Sequence, residues 1–589
     1  MEYKKNQTVT VAITDIGKNG EGIGRSDDYI LFVKDAIAGD TVEAVITKVK
    51  KNYGYARCLR VITPSADRTE PFCEQHRRCG GCQIQAMSYD AQQRVKENKV
   101  RNDLIRIGHV PAETVERVFE PMIGMDAPIR YRNKSQYPVG TDADGNIVAG
   151  FFAGRTHHII PCTDCGIAPE ENKEILGIIL DHMKKHGIRP YDEEGSGTVR
   201  HVLIRKGFAT GQIMVCLVIR YRGKASSGYI PGQEELIERL MEIPGMTSIC
   251  VSVNNEKTNV IMGNEIHTIA GSDTITDILL GKRFEISPLS FYQVNPVQTE
   301  KLYRTAIEFA QLTGKEDVWD ICCGIGTISL CMADKAKSVH GLEIVPEAIE
   351  DAKKNAVSNG VENAQFICAA AEDYLPAHQD EIAADVIVLD PPRKGMDPEA
   401  LSAIADTACP RIVYVSCDSA TLSRDIEYLT ERGYELERVR CTDMFPHTIH
   451  VETVVLLSKG EIPSKKVKVE FSLEGMDTDG FKDGATYDEI RDWVQEKYGI
   501  HVTNLNIAQI KRKNGIIERE NYNKSKSEDS RQPGTTPEKE KAITEALKHF
   551  NMILVIGGIH KMDASFFIAR KSLVVCKKIH FGIASKIFW

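Results

Sequence analysis

The 589-residue chain has no run of the roughly 18 to 20 apolar residues that a membrane span requires. Its start, Met1-Glu2-Tyr3-Lys4-Lys5, lacks the apolar stretch of a signal peptide. A membrane role is therefore not expected, and the default location is cytoplasmic. Excess positive charge is missing as well: the formal net charge is −9. The overall balance gives no reason to expect nucleic acid, so any RNA contact must come from a local basic groove. Without a secretory signal, the 16 cysteines do not read as a disulfide framework. They read as reduced thiols, some of them metal ligands or nucleophiles.

The length exceeds what one core supports and predicts several domains. Residues 1–64 carry short β-prone runs such as Thr8–Val11, Tyr29–Val33 and Thr41–Ile46, separated by turns, and predict a small antiparallel OB-like β-barrel. Lys48, Lys50, Lys51 and Arg57 cluster at its edge with Tyr53 and Tyr55 interleaved, a pattern shared by oligonucleotide-binding faces and plain solvated ones. Residues 65–276 hold a cysteine cluster, a polar helix ending near Arg106, and a mixed α+β pattern. Residues 277–459 switch to regular strand and helix alternation, which predicts an α/β Rossmann-like domain with ligands at the carboxyl ends of its strands. Its last run, Val451–Ser458, follows its neighbour too closely for a crossover helix and is expected to be antiparallel. Residues 460–589 form an extension of unknown role, with a helix over Tyr487–Tyr498, a basic run Lys511-Arg512-Lys513 and a flexible linker from Asn521 to Thr536. Ile553–Trp589 is apolar and basic without periodicity and receives no assignment.

The strand at 317–322 runs into Cys323-Gly324-Ile325-Gly326-Thr327, where two glycines let the backbone approach a ligand at a helix start. Glu343 ends the next strand, positioned to accept ribose hydroxyls. Ser329 stands where a dinucleotide fingerprint has its third glycine, which disfavours a nicotinamide cofactor. Asp390-Pro391-Pro392 closes the fourth strand at the same edge, and S-adenosylmethionine fits this set better. Cys417 ends the fifth strand and Glu452 begins the last. A thiolate adding to carbon 6 of uracil makes carbon 5 nucleophilic, and a base must then remove the carbon 5 proton.

With these motifs in hand, the sequence resembles the RNA uracil-5-methyltransferases. Phe291-Tyr292-Gln293-Val294-Asn295, Asp320 to Thr327, Leu389 to Gly395, Tyr414 to Asp418 and His450 to Val454 are similar to that family's ordered signatures. The resemblance, over roughly residues 7–458, implies class I S-adenosylmethionine-dependent chemistry. It implies Gln293, Cys322, Gly324, Gly326, Glu343 and Asp390 at the cofactor, Cys417 as nucleophile and Glu452 as base. Many relatives carry an aromatic residue where Cys322 stands.

Cys73, Cys79 and Cys82 lie in a Cys-x5-Cys-Gly-Gly-Cys arrangement, and Cys162 or Cys165 can supply a fourth thiolate; ligand type alone leaves zinc and iron-sulfur both open. The resemblance, to members acting on large-subunit ribosomal RNA, implies a [4Fe-4S] cluster on Cys73, Cys79, Cys82 and Cys165. The amino-terminal barrel resembles the TRAM RNA-binding domain, which favours 23S rRNA over tRNA as partner; no obligate protein partner is implied. Arg130 to Lys134 mix charge with an aromatic and can meet phosphate and base, with a solvated basic loop as the competing reading; Phe291 and Phe445 are candidate stackers for a flipped base, although core packing is the more frequent use of such residues. The competing readings are methylation of tRNA and a non-catalytic rRNA-binding assembly factor.

Overall fold

The computed structural model describes residues 3–154, 156–192, 194–223, 228–460, 486–513 and 535–550. The chain divides into two compact units at residues 464 and 465.

In the first unit β1 (Thr8–Ile16), β2 (Gly22–Ser26), β3 (Tyr29–Lys34), β4 (Thr41–Val49) and β5 (Tyr53–Thr63) close into a barrel in the order β1-β2-β3-β5-β4. Alternation drives the closure: Val11, Ile13, Leu31, Val33, Val42, Ala44 and Ile46 point inward and are buried. The expected purely antiparallel arrangement fails at one seam, where β3 and β5 run parallel. Five strands cannot alternate in direction around a closed ring, so one pair must be parallel.

After α1 (Tyr89–Arg106), α2 (Ala112–Val118) and β6 (Phe119–Ile123) comes a seven-stranded sheet. Its order is β13-β12-β11-β10-β7-β8-β9, built from β7 (Lys134–Thr141), β8 (Ile147–Phe152), β9 (Ile159–Pro161), β10 (Val199–Lys206), β11 (Ile213–Ile219), β12 (Met246–Val253) and β13 (Glu265–Gly271). The helices α3 (Glu171–Lys185) and α4 (Gln233–Met241) cover one face. Every residue of β11 is buried. Val215 and Leu217 face those helices, while Met214 and Cys216 join the core of the following region.

A hairpin of β14 (Ile275–Leu279) and β15 (Lys282–Ile286) and helix α5 (Pro296–Ala310) lead into β16 (Asp317–Ile321), α6 (Thr327–Ala333), β17 (Ser338–Glu343), α7 (Pro346–Ser358), β18 (Ala364–Cys368) and α8 (Ala371–Ala377). Then follow β19 (Val386–Leu389), α9 (Pro398–Asp406), β20 (Arg411–Ser416), α10 (Ser419–Glu431), β21 (Tyr434–Thr442) and β22 (Glu452–Lys459). Their sheet has the order β18-β17-β16-β19-β20-β22-β21-β6. Strands β16 to β20 are mutually parallel, and β22 inserts antiparallel between β20 and β21. Order reverses between β16 and β19, which opens a crevice at their carboxyl ends. The edge strand β6 comes from more than 300 residues away in the chain and runs parallel to β21. Its sequence, Phe-Glu-Pro-Met-Ile, has no alternation, so nothing local announces it.

In the second unit α11 (Tyr487–Tyr498), α12 (Asn504–Lys513) and α13 (Pro537–His549) bury Ile490, Val494, Ile507, Ile510, Ile543 and Leu547 together. Lys511 lies over the Tyr487 ring at 4.4 Å and Lys513 pairs with Glu540, so two residues of the basic run are engaged within this unit. The linker expected from Asn521, except for Thr535 and Thr536, and the stretch Ile553–Trp589 lie outside the described residues. Among the described residues no helix is long and apolar enough to cross a membrane.

Candidate active site

At the end of β16 the backbone enters the left-handed region three times, at Cys322 (φ 69°), Gly324 (φ 56°) and Gly326 (φ 77°). The two glycines do different work. A Cβ on Gly326 would stand 3.0 Å from the Phe366 ring, so this glycine lets α6 sit close to the sheet, whereas a Cβ on Gly324 would meet nothing within 4 Å. Glu343 reaches back to this turn: Oε2 accepts from Gly324 N–H at 3.1 Å and Oε1 from Val345 N–H at 3.0 Å. Each oxygen keeps a lone pair for a ligand, in an orientation the backbone has already set. Beneath the turn Ser329 Oγ donates to Asp320 Oδ2 at 2.5 Å, and burial pushes the Asp320 carboxyl up to about 6. Ser329 thus has a job that the missing-glycine reading did not contain.

A cavity of about 130 Å³ opens beside the turn, lined by Cys322, Glu343, Ile344, Ala371, Glu372 and Pro391 among others. Of the expected cofactor residues only Cys322 and Glu343 line it; Gln293, Gly324, Gly326 and Asp390 do not. Ile344, Ala371 and Glu372 escaped the sequence reading; the only signal for them is that they follow the carboxyl ends of β17 and β18.

Asp390, just after β19, is pushed up to about 7 by burial, with Asp320 adding to the effect. Glu452 is 3% exposed. Burial first, and the Asp390 charge second, push it up to about 8 against the opposing charge of Arg393. Cys417 is pushed up to about 11 by burial, then by Glu452, again with Arg393 opposing. The three acids therefore share one field. Arg393, exposed on the loop after Asp390, is the cation in it that the list of sequence candidates lacked. The β20–β22 ladder pairs Ser416 with Thr453, and one further step of that register sets Cys417 opposite Glu452.

Gln293 sits in the loop before α5, its carbonyl accepting from Asn133 Nδ2 at 2.9 Å. Phe291 beside it is 71% exposed. Phe445 is partly buried against the core, its ring edge-on to His450. The basic run 130–134 departs from expectation. Tyr131 is fully buried with its hydroxyl donating to the Pro446 carbonyl, and Arg130 pairs with Asp164 and donates to the Cys165 carbonyl. The tyrosine expected to meet RNA is therefore inside the fold.

Cys73, Cys79, Cys82, Cys162 and Cys165 all line one cavity of about 370 Å³. Gly81 N–H donates to Cys79 Sγ at 3.4 Å, and burial pushes Cys82 up to about 12. Cys165 is held down to about 6 by a hydrogen bond from the Cys162 thiol and by backbone N–H groups. Between the barrel and the cysteine loop a second cavity of about 520 Å³ is lined by Lys34, Lys48, Tyr55, Arg68, Arg77 and Arg78 among others.

The tRNA (Uracil-5-)-methyltransferase family model matches residues 273–460. An uncharacterized RNA methyltransferase of Clostridium tetani is 46% identical over 458 residues, 77% of this chain and 97% of that protein. The chain belongs to the RNA uracil-5-methyltransferase family. A further RNA methyltransferase, from Halalkalibacterium halodurans, is 47% identical over 77% of this chain and 97% of its own length. The TRAM domain model matches residues 3–59, the barrel. Among solved structures, the Pyrococcus abyssi tRNA (uracil-54, C5)-methyltransferase in complex with S-adenosyl-L-homocysteine aligns with a TM-score of 0.60 at 24% identity, over 76% of this chain and 100% of that one. That likeness concerns the fold: a barrel, a central sheet and a doubly wound methyltransferase sheet. As an RNA uracil-5-methyltransferase family member the chain is an enzyme of RNA methylation, and the family match runs from β14 through β22, spanning the crevice just described.

Proposed function

We propose that this enzyme transfers a methyl group from S-adenosylmethionine to carbon 5 of a uridine in RNA, with Cys417 as nucleophile and Glu452 as base. The observation that carries the reading is the register of β20 against β22, which sets a thiol opposite a buried carboxyl at the carboxyl edge of the parallel strands. S-adenosylmethionine fits this edge: Glu343 has both oxygens oriented for ribose hydroxyls, Gly324 leaves open space, Cys322 and Gly326 belong to the turn and Asp390 follows the neighbouring strand; Gln293, in the loop before α5, is carried as a further cofactor residue by the resemblance. Bound there, it supplies an electrophilic methyl group on a positively charged sulfur.

Cys417 as thiolate adds to carbon 6 of the uracil ring, and the electron pair of the carbon 5–carbon 6 double bond moves into an enolate. Arg393 favours the thiolate, and a cation in this acidic crevice favours it further. Carbon 5 then bonds to the methyl group as the sulfur–methyl bond breaks, its electron pair staying on the sulfur, which departs as a neutral thioether. Glu452 in its carboxylate form accepts the proton from carbon 5, the released pair restores the double bond, and the Cys417 thiolate leaves.

The reading extends to the other regions. The domains are taken as the barrel at 1–64, the central region at 65–276, the methyltransferase domain at 277–459 and the extension at 460–589. Cys73, Cys79, Cys82 and Cys165 hold a [4Fe-4S] cluster with Cys162 as bystander, a reading supported by the one cavity that these thiols line together. The substrate is 23S rRNA in the cytoplasm, supported by the barrel and the basic cavity beside it. Incubation with S-adenosylmethionine and 5-fluorouridine-substituted transcripts tests the scheme, because fluorine cannot leave as a proton. A denaturant-resistant complex with wild type and not with Cys417→Ala supports it. A complex with tRNA and not with large-subunit rRNA changes the substrate, and none with either sinks the mechanism.

A further inference from the structure

The connection from β21 to β22, residues 443–451, delivers Glu452 to its place. Five consecutive carbonyls in it are each held by a different donor. Asp443 O accepts from Gln298 Nε2 at 3.2 Å, Met444 O from Asn295 Nδ2 at 3.0 Å, Phe445 O from Lys96 Nζ at 3.0 Å, and Pro446 O from Tyr131 Oη at 3.1 Å. The fifth, His447 O, accepts from two backbone groups, Gln83 N–H at 3.0 Å and Ile84 N–H at 3.1 Å. Those two residues immediately follow Cys82.

His447 meets the other stem of the cysteine loop as well. Phe72, which precedes Cys73, sets its ring edge-on to the imidazole with centroids 4.9 Å apart. A Cβ on Gly166, next to Cys165, would stand only 2.4 Å from that same phenyl ring, so Phe72 is wedged between Cys165's neighbour and His447. The imidazole is fixed on its remaining sides. Nε2 donates to Pro128 O at 2.8 Å, which leaves Nδ1 to accept from Gln92 Nε2 at 3.2 Å, while Gln92 Oε1 accepts from His447 N–H at 2.9 Å. The residue is 7% exposed and holds φ at 68°, a conformation a non-glycine residue keeps only when its surroundings impose it.

We infer that His447 is a positioning residue through which the loop Cys73–Cys82 sets the place of the 443–452 segment, and with it Glu452. Both stems of the cysteine loop end on this one residue, five positions before Glu452, so order in the loop is order in the segment. The inference rests on the roles proposed above for the thiols and for Glu452, but its test reads conformation before activity.

Hydrogen exchange is measured on the full chain, purified without air, before and after the cysteine-bound group is removed with a chelator. Faster exchange after removal is expected in 72–84 and equally in 443–452, with β16 to β19 unchanged. In His447→Gly, which keeps the backbone carbonyl and tolerates φ 68° but loses the ring contacts, 443–452 is expected to exchange fast in both states. Its kcat is expected to fall about 10- to 100-fold, as for a misplaced catalytic group, with KM for S-adenosylmethionine unchanged. Phe72→Ala, at a half-exposed position, is the companion should His447→Gly not fold, with a smaller change of the same kind. Exchange at 443–452 that ignores removal in wild type overturns the inference, as does a His447→Gly protein with wild-type kcat. If exchange responds as expected while Glu452→Gln retains full activity, the coupling stands and the assignment of the base is what fails.

Discussion

Cys417 and Glu452 each stand one residue beyond the Ser416–Thr453 pair that ends the antiparallel β20–β22 ladder, and the Glu452 charge acts on the thiol. In the proposed scheme the thiol adds at carbon 6 and the carboxyl acts one atom away at carbon 5, so the two halves of the chemistry are separable by mutation. Glu452→Gln should still form the carbon 6 adduct and accept the methyl group, then stall before elimination. The expected outcome is a covalent complex with ordinary uridine-containing RNA and a turnover lower by about 10²- to 10⁴-fold. Denaturing electrophoresis with radiolabelled S-adenosylmethionine reads both. A variant that turns over slowly without any accumulated complex would remove Glu452 from the proton-transfer step.

The same carboxyl makes stability depend on pH. Glu452 lies near 8 in the fold against an ordinary 4.5, so between those values the folded chain holds a proton that the unfolded chain has released. Unfolding then sheds a proton, and stability falls as pH rises through this window, by a few kcal/mol once it passes about 8. Asp390, raised to about 7, acts in the same direction. Glu452→Gln should therefore gain in melting temperature over wild type, little near pH 5 and most above pH 8, while keeping the part of the slope that belongs to Asp390. Thermal melts of both proteins across this range test it; a gain independent of pH would mean that Glu452 ionises normally.

How much of this was legible beforehand differs by element. The strands β16 to β20 are apolar runs bounded by turns, so the sequence alone places Glu343, Asp390 and Cys417 at strand ends. The barrel is legible in the same way, except for its parallel seam, which is a matter of ring closure and not of residue type. Pairings between distant segments are not legible. Strand β6, the donors on Asn295, Lys96 and Tyr131, and the bonds from Gln83 and Ile84 to His447 join residues about 150 to more than 350 positions apart or lie in segments with no periodic signal. Tyr131 shows the limit from the other side: between two arginines it looks like part of an exposed RNA-contacting run, and burial reverses its meaning.

The two glycines after β16 give a contrast that separates packing from binding. At Gly326 an added methyl meets the Phe366 ring at 3.0 Å in a backbone with φ 77°, so Gly326→Ala should lose about 2 kcal/mol or more from strain and clash together. At Gly324 the methyl enters open space, and only the left-handed backbone costs, about 1 kcal/mol. If that open space is where the proposed cofactor approaches Glu343, Gly324→Ala should weaken S-adenosylmethionine binding far more than its modest destabilisation suggests. Urea unfolding and calorimetric titration on both variants decide the matter; equal affinity losses would mean that the two glycines share one role.

Lys96 and Asp443 form an ion pair with both side chains fully buried, Nζ to Oδ1 at 2.6 Å, and the same ammonium donates to the Phe445 carbonyl. Burial depresses the lysine while Asp443 opposes that shift. Lys96→Met leaves a buried carboxylate alone, and its Oδ2 already has no hydrogen-bond partner among the described residues. The expected loss is about 3 to 5 kcal/mol. Lys96→Met combined with Asp443→Leu removes the stranded charge and should recover much of that stability, since an apolar replacement of a buried pair is often neutral. Activity should not return with it, because Phe445 O keeps only its local bonds from Thr448 and the segment ahead of Glu452 has lost its tie to α1. A double-mutant cycle on urea midpoints, run beside single-turnover methylation, separates the two: recovery of stability with recovery of rate would show that the lysine supports the fold and has no part in placing Glu452.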